Sequence, residues 1–157
     1  MLTAAAGGDA GSLEKAIRQL APSVFAFLAG LLGDQREAEE GMQETFVRAV
    51  RGIERYESTT DPEAWAFQIA RRVAADIRPT PAAPLGERPP AGGDAVEWAR
   101  RSLRALPIEL REVVVLKDLM RWKPDRIATV LSTDTSEVAK RLLQARTQLA
   151  ENMRGGP

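Results

Sequence analysis

The sequence predicts an all-α protein of two small helical domains joined by a Pro/Gly-rich linker, and three observations carry that prediction. Apolar residues recur at three- and four-residue spacing on both sides of residue 79, the interval that lines up side chains on one helix face. Between Arg78 and Asp94, five prolines and three glycines fill eight of fifteen positions, which no helix or central strand survives. Near the C-terminus a short helical pattern, a polar turn and a longer helical pattern follow one another, the order of a helix-turn-helix.

The elements follow in chain order. Residues 1–12 form a flexible start, and Ser12 is a plausible N-cap for a helix carrying Leu13, Ile17 and Leu20. Pro22 suits the first turn of a second helix with Val24, Phe25, Leu28, Leu31 and Leu32, closed by Gly33. Asp34 caps a third, with Ala38, Met42, Phe46, Ala49 and Val50 on its apolar face. Asp61 and Pro62 start a fourth, where Trp65, Ile69, Val73 and Ile77 recur until Pro79. These four helices make a first domain over residues 13–78, and residues 79–93 are the linker, extended and semi-stiff in its Pro-rich half. In a second domain, residues 94–153, Val96, Ala99, Leu103 and Leu106 mark one helix. Pro107 opens another with Leu110, Val113, Val114, Leu116 and Leu119. Pro124 opens a short one with Ile127, Ala128 and Leu131, and after a polar break a long helix turns Val138, Leu142, Ala145 and Leu149 inward.

Composition narrows the function. With 157 residues, 44% hydrophobic and 28% charged, the chain fits one ordinary domain or two small ones and is neither fibrous nor wholly disordered. It has no Cys and no His, so it builds no disulfide, thiolate nucleophile, Ser-His-Asp relay or ordinary zinc site. No Gly-rich phosphate loop or other catalytic motif stands in their place; the expectation is a binding protein without cofactor, metal or reaction. No run approaches the roughly 18 apolar residues of a membrane span, and the first twelve residues lack the basic start and apolar stretch of a signal peptide. The expected location is the cytoplasm, without membrane insertion. Basic and acidic residues balance at 22 each, but residues 1–78 carry nine and twelve, net −3, whereas residues 94–157 carry twelve and nine, net +3. The halves are charged to face different partners, a difference small enough to match ordinary scatter as well.

Specific motifs lie on these elements. Gln43-Glu44-Thr45-Phe46-Val47-Arg48-Ala49, preceded by Ala38-Glu39-Glu40, resembles the AED…QETF-x-RAW signature of the second conserved region of extracytoplasmic-function (ECF) sigma factors. Trp65-Ala66-Phe67-Gln68-Ile69-Ala70, ending at Asp76, is similar to that region's continuation. Leu106-Pro107, with Arg111-Glu112-Val113, is similar to the LP-x-x-x-REV opening of the fourth region. Ile127-Ala128 through Val138-Ala139-Lys140-Arg141-Leu142 to Ala145-Arg146 matches its helix-turn-helix without a gap. The resemblance covers nearly the whole chain after Ser12, in the family's order and with a linker where the family has one.

The resemblance implies a sigma region 2 type domain followed by a region 4 type domain, together directing core RNA polymerase to specific promoters and helping to open them. The first domain would bind the clamp helices of the polymerase's largest subunit through Glu40, Gln43, Glu44, Val47 and Arg48, outward on helix 34–51. Periodicity alone favours a solvated face with Glu44 paired to Arg48, and the resemblance reverses that preference. The same domain would hold the start-proximal promoter element as unpaired strand. Tyr56, Trp65, Phe67, Gln68, Arg71 and Arg72 supply the aromatic and basic side chains such binding uses. Trp65 also shares the core spacing of Ile69 and Val73, and Arg72 departs from the family's Asn.

In the second domain Asp134 and Glu137 form an acidic capping box that fixes the start of the last helix. Thr135, Ser136, Ala139 and Lys140 would then face base edges of the distal element, while Lys123, Arg126 and Arg141 reach phosphates. Glu137 has two roles open, cap or acceptor from cytosine. Arg146, roughly 15 Å along the helix from Ser136, is expected to find an intramolecular partner or solvent. Ser132 and Ser136 stand where the family has glycines, Lys123 where it has a hydroxyl cap, and Ala139 where it has a basic residue. These departures predict weak duplex binding by the second domain alone. Kinship adds an anti-sigma factor as a further partner to look for. Two alternatives stay open: a sigma-like regulator with little initiation activity, and a helical adaptor whose basic half binds an acidic protein.

Overall fold

In the computed structural model, which describes residues 10–57, 59–77 and 85–154, every regular element is helical. Helix α1 runs Ala10–Leu32 unbroken through Pro22, where two helices are predicted, and draws Ala10, Gly11 and Ser12 out of the expected flexible start. The rest of that start lies outside the described residues. Pro22 forgoes one backbone hydrogen bond and crowds the preceding turn, a cost of about 3 kcal/mol or more. Leu20, Val24, Phe27, Leu28 and Leu31 nevertheless stay on one buried face across it. Each large apolar side chain so buried contributes about 1.5–3 kcal/mol, so packing overrides the local signal. By length and composition α1 could also cross a membrane, a property that the core helix of a bundle shares. Gly33, at φ +66°, turns the chain as a left-handed C-cap.

Helix α2 spans Gln35–Arg51, and Asp34 caps it by accepting from the Glu37 amide at 2.9 Å. Its buried face is Ala38, Gly41, Thr45 and Ala49; of the predicted face Ala38 and Ala49 are buried, whereas Met42 and Phe46 are half-buried and Val50 is exposed. The reason is close approach: a Cβ on Gly41 would sit 3.2 Å from both Ile77 and Leu28 side-chain carbons, so the small residues let the helices touch. Thr45 satisfies its buried hydroxyl on the Gly41 carbonyl at 2.7 Å. After a turn of 3₁₀ helix at Ile53–Arg55, α3 spans Pro62–Ile77. It buries Ala64, Ala66, Phe67, Ala70, Val73 and Ala74; of the predicted inward set only Val73 is fully buried. Phe67 stacks on Phe27 with ring centroids 4.6 Å apart, and the Ser23 hydroxyl donates to Glu63 Oε2 at 3.0 Å. Helices α1, α2 and α3 pack on one another as one compact unit, a three-helix core where four helices are predicted.

The helices from Ala95 onward, residues 129–131 excepted, form the other unit. Helix α4 spans Ala95–Arg104, capped by Asp94, which accepts from the amides of Val96 and Glu97. It buries Trp98 and Ser102, whereas Val96, predicted inward, is 61% exposed. Helix α5, Ile108–Val114, continues into a wide π turn over Val115–Leu119. That turn, closed by the Met120 amide on the Val115 carbonyl, shifts the register and leaves Leu119 59% exposed against the predicted inward position. Helix α6 spans Pro124–Val130 and α7 spans Thr135–Met153. Arg111, 5% exposed, donates to the carbonyls of Leu103, Arg104 and Leu106 and so closes the end of α4. The Trp98 indole and the Asn152 amide tie α4 to the end of α7.

Residues 85–90 are irregular and turn residues follow before Asp94, as the Pro/Gly content predicts; Pro79, Pro81 and Pro84 lie outside the described residues. The described part is not a loose tether. Arg101 donates to the Leu85 carbonyl at 3.0 Å, and Arg88 donates to the Arg154 carbonyl at 3.0 Å. Gly86, at φ +74°, lies against the Arg101 guanidinium where a Cβ would collide.

Candidate functional site

Three surfaces carry the predicted residues. On α2, Glu40, Gln43 and Val47 are exposed, and Glu44 and Arg48 half-exposed. Arg48 is engaged within its own unit: it binds Glu44 at 2.8 Å and Asp76 of α3 at 2.8 Å. The hydrogen bonds, that to Glu44 first, raise its pKa above the ordinary guanidinium value. Glu40 pairs with Arg36 at 3.2 Å. Such exposed pairs are each worth about 0–1 kcal/mol, weak enough to be exchanged for a partner's charges. Beside them Met42, Phe46, Val47 and Val50 join Ile17 and Ala21 of α1 to line an open, almost wholly apolar groove. The α1 contribution is not legible from α2 alone, since the spacing of Ile17 with Leu13 and Leu20 marks it as core.

On the second surface the aromatic candidates are committed to packing. Phe67 is fully buried in its stack on Phe27. Tyr56 is 8% exposed, donates its hydroxyl to the Thr60 carbonyl at 2.6 Å, and meets Trp65 edge to face at 5.1 Å. With Ala16 and Ile53 these rings make a small apolar cluster. Burial first, and then the charge of Asp61, raises the Tyr56 pKa. Tyr56 and Phe67 therefore offer no open ring face for a base to stack on, which corrects the expectation for both. Gln68 and Arg71 are half-buried, and Arg72 is exposed one turn further along the same face of α3.

The third surface is the first half of α7. Asp134 accepts from the Glu137 amide at 2.8 Å, the cap that fixes where the helix starts. The Glu137 carboxylate, expected to complete the capping box, instead accepts from Arg141 at 2.9 Å. Arg141 is thus held on its own helix. Thr135, Ser136, Ala139 and Lys140 all point outward, opposite the buried Val138, Leu142 and Ala145. Lys123 is exposed at the start of α6, and Arg126 lies with its guanidinium 3.8 Å above the ring of the buried Trp122. Trp122 was not singled out from sequence; its position four residues before Arg126 was the available signal. Arg146 pairs with Asp118 at 2.7 Å, the intramolecular partner its position predicts. Ser132 sits at φ +53°, which explains why glycine suits this turn. Among the described residues no three His, Cys, Asp or Glu side chains converge as metal ligands.

Comparison with known proteins places both units. Residues 16–78 match the family Sigma-70 region 2, and residues 97–149 match Sigma-70, region 4. The chain is 29% identical to the ECF RNA polymerase sigma factor SigC of Mycobacterium tuberculosis, over 92% of this chain and 85% of that one. It is 26% identical to the ECF RNA polymerase sigma factor EcfG of Rhodopseudomonas palustris, over 88% and 83%. Among solved structures, CnrH in complex with the cytosolic domain of CnrY superposes with a TM-score of 0.77 at 22% identity, covering 98% of this chain and 94% of that one. The sigma factor RpoE in complex with the anti-sigma factor NepR from Bartonella quintana gives 0.72 at 19%, covering 91% and 97%.

Proposed function

Because this chain belongs to the ECF sigma factors of the sigma-70 family, we propose that it works in the cytoplasm, carrying core RNA polymerase to specific promoters and helping to open them. The observation that supports this best is the order of the two family matches, region 2 over residues 16–78 and region 4 over residues 97–149. In this reading residues 13–78 are the polymerase- and melted-strand domain, 79–93 the connection and 94–153 the duplex-reading domain.

The outward face of α2 takes the clamp helices of the largest polymerase subunit. Glu40, Gln43 and Glu44 offer polar partners, Val47 and the apolar groove offer area, and Arg48 exchanges an internal pair for an external one. On α3, Gln68, Arg71 and Arg72 meet the unpaired strand, with Trp65 at the edge of that surface and Tyr56 and Phe67 as its support. On α7, Thr135, Ser136, Ala139 and Lys140 face base edges, while Lys123, Arg126 and, once released from Glu137, Arg141 approach phosphates. Each phosphate contact steepens the salt dependence of binding by about 0.9 in log–log slope. With so few contacts the second unit binds duplex weakly alone, and polymerase, by holding both units, supplies the effective concentration that compensates. A protein inhibitor of the anti-sigma kind would act by occupying one of these faces.

The test is reconstitution: core polymerase, the full chain and supercoiled DNA carrying its source's intergenic regions, with sequencing of RNA 5′ ends. Defined starts that share two upstream elements are expected. Tight polymerase or DNA binding without defined starts would point instead to a regulator that does not initiate, and no binding to either would point to an adaptor.

A further inference from the structure

Leu143 has no part in the contacts assigned so far, yet it is 71% exposed, the most open of the large apolar side chains described. It lies on the outward face of α7. Ser136, Ala139 and Leu143 follow at intervals of three and four, with Lys140 beside them, so all four share one helix face opposite Val138, Leu142 and Ala145. Ala139 and Leu143 are about 6 Å apart along the axis, close to two base steps of duplex at about 3.4 Å each. Neither side chain has a donor or acceptor. A helix presenting them to a major groove reads nothing through them by hydrogen bonding, and the one apolar group on a base edge there is the thymine C5-methyl.

We propose that Ala139 and Leu143 recognise thymine methyl groups in the distal promoter element, so that this chain reads part of it by apolar contact. The proposal rests on the reading above that α7 enters the major groove. Three observations favour DNA over a protein as the occupant. The small Ala139 lets the backbone approach a groove floor; Ser136 and Thr135 turn hydroxyls toward base edges; and Lys140 puts a cation within the patch, which suits the acceptor-rich groove and disfavours an apolar protein surface.

The experiment uses holoenzyme reconstituted from core polymerase and the full chain, on a promoter mapped by RNA-end sequencing. Its distal element is synthesised either with thymidine or with deoxyuridine, which removes only the methyl groups. Wild-type holoenzyme is expected to bind the deoxyuridine promoter about fourfold more weakly for each methyl lost from contact, the factor for exposing one buried methyl or methylene group. Leu143→Ala should bind the thymidine promoter more weakly and lose Leu143's share of the difference between the two DNAs, about fourfold for one methyl, with polymerase affinity and thermal unfolding unchanged. Equal binding of both DNAs by wild type would overturn the inference while leaving the sigma reading intact. So would a Leu143→Ala variant that keeps methyl sensitivity but loses polymerase affinity, since the leucine would then face protein. Absence of specific binding to either DNA would remove the promoter reading itself, and this inference with it.

Discussion

α3 and α7 carry the two sets of candidate nucleic-acid residues, and they use them in opposite ways. On α3 the aromatic members are drawn inward, Phe67 onto Phe27 and Trp65 onto Tyr56, which leaves Arg72 exposed while Arg71 and Gln68 stay half-buried. On α7 the candidates and the core are separate: Thr135, Ser136, Ala139, Lys140 and Leu143 are exposed, while Val138, Leu142 and Ala145 are buried. Residue type marks where a surface lies, but the step of 100° per residue decides which of its members are offered to a partner. It follows that substitutions on α3 should disturb stability and binding together, and substitutions on the outer face of α7 binding alone.

The sharpest way to break that contrast is Phe67→Ala set against Lys140→Ala. The first should destabilise its unit by about 3–5 kcal/mol, the cost of emptying a buried phenylalanine site. The second should stay within about 0.5 kcal/mol. Urea denaturation of the full chain followed by circular dichroism measures both, and comparable losses would end the distinction. Within the second unit, Arg111→Met should cost about 2–3 kcal/mol, because the carbonyls of Leu103, Arg104 and Leu106 lose a charged donor. Two smaller changes should move the turn before α7 in opposite directions. Asp134→Ala removes the bond to the Glu137 amide and should cost about 1 kcal/mol. Ser132→Gly relieves a side chain at φ +53° and should add about 1 kcal/mol. Melting curves of the two single variants check the signs; a destabilised Ser132→Gly would mean that the serine is held by something besides its backbone.

The same local-versus-distant division decides which features are legible in the sequence. The caps at Asp34 and Asp134, the left-handed Gly33 and the helix-turn-helix order were legible because each depends on a few adjacent residues. Burial registers were not. The sequence reading gave the buried face of α2 to its largest apolar side chains, but Gly41 and Thr45 were buried because a neighbouring helix approaches too closely for Met42 or Phe46. On α5 the wide turn at Val115–Leu119 moved Leu119 outward, and no local propensity announces such a turn. Arg111 read as a surface charge within a motif, since only the fold brings three carbonyls to it. The same limit applied to the candidate sites. Thr135, Ser136, Ala139 and Lys140 are exposed as expected because one helix sets their side; the α3 surface lost Tyr56 and Phe67 because packing partners claim them.

A last and smaller effect tests that claim by pH. Tyr56 is the chain's single tyrosine, and there is no histidine, so few groups titrate above neutrality besides lysines. Burial, then the charge of Asp61, raises the folded-state pKa of its phenol above the ordinary value of about 10. The unfolded chain then gives up this proton at lower pH than the folded chain does. The stabilisation is complete below the unfolded pKa and is lost as pH rises through the folded one. Ionisation also ends the donation from the hydroxyl to the Thr60 carbonyl, 2.6 Å away. Between about pH 9 and 11, the melting temperature of wild type should therefore fall more steeply than that of Tyr56→Phe, which keeps only the loss due to other groups. Tyr56→Phe should begin slightly lower, by the worth of one hydrogen bond, about 1 kcal/mol. Parallel pH slopes for the two proteins would mean that the ring is open to water, and α3 would then offer its aromatics to a partner as freely as α7 offers its outer face.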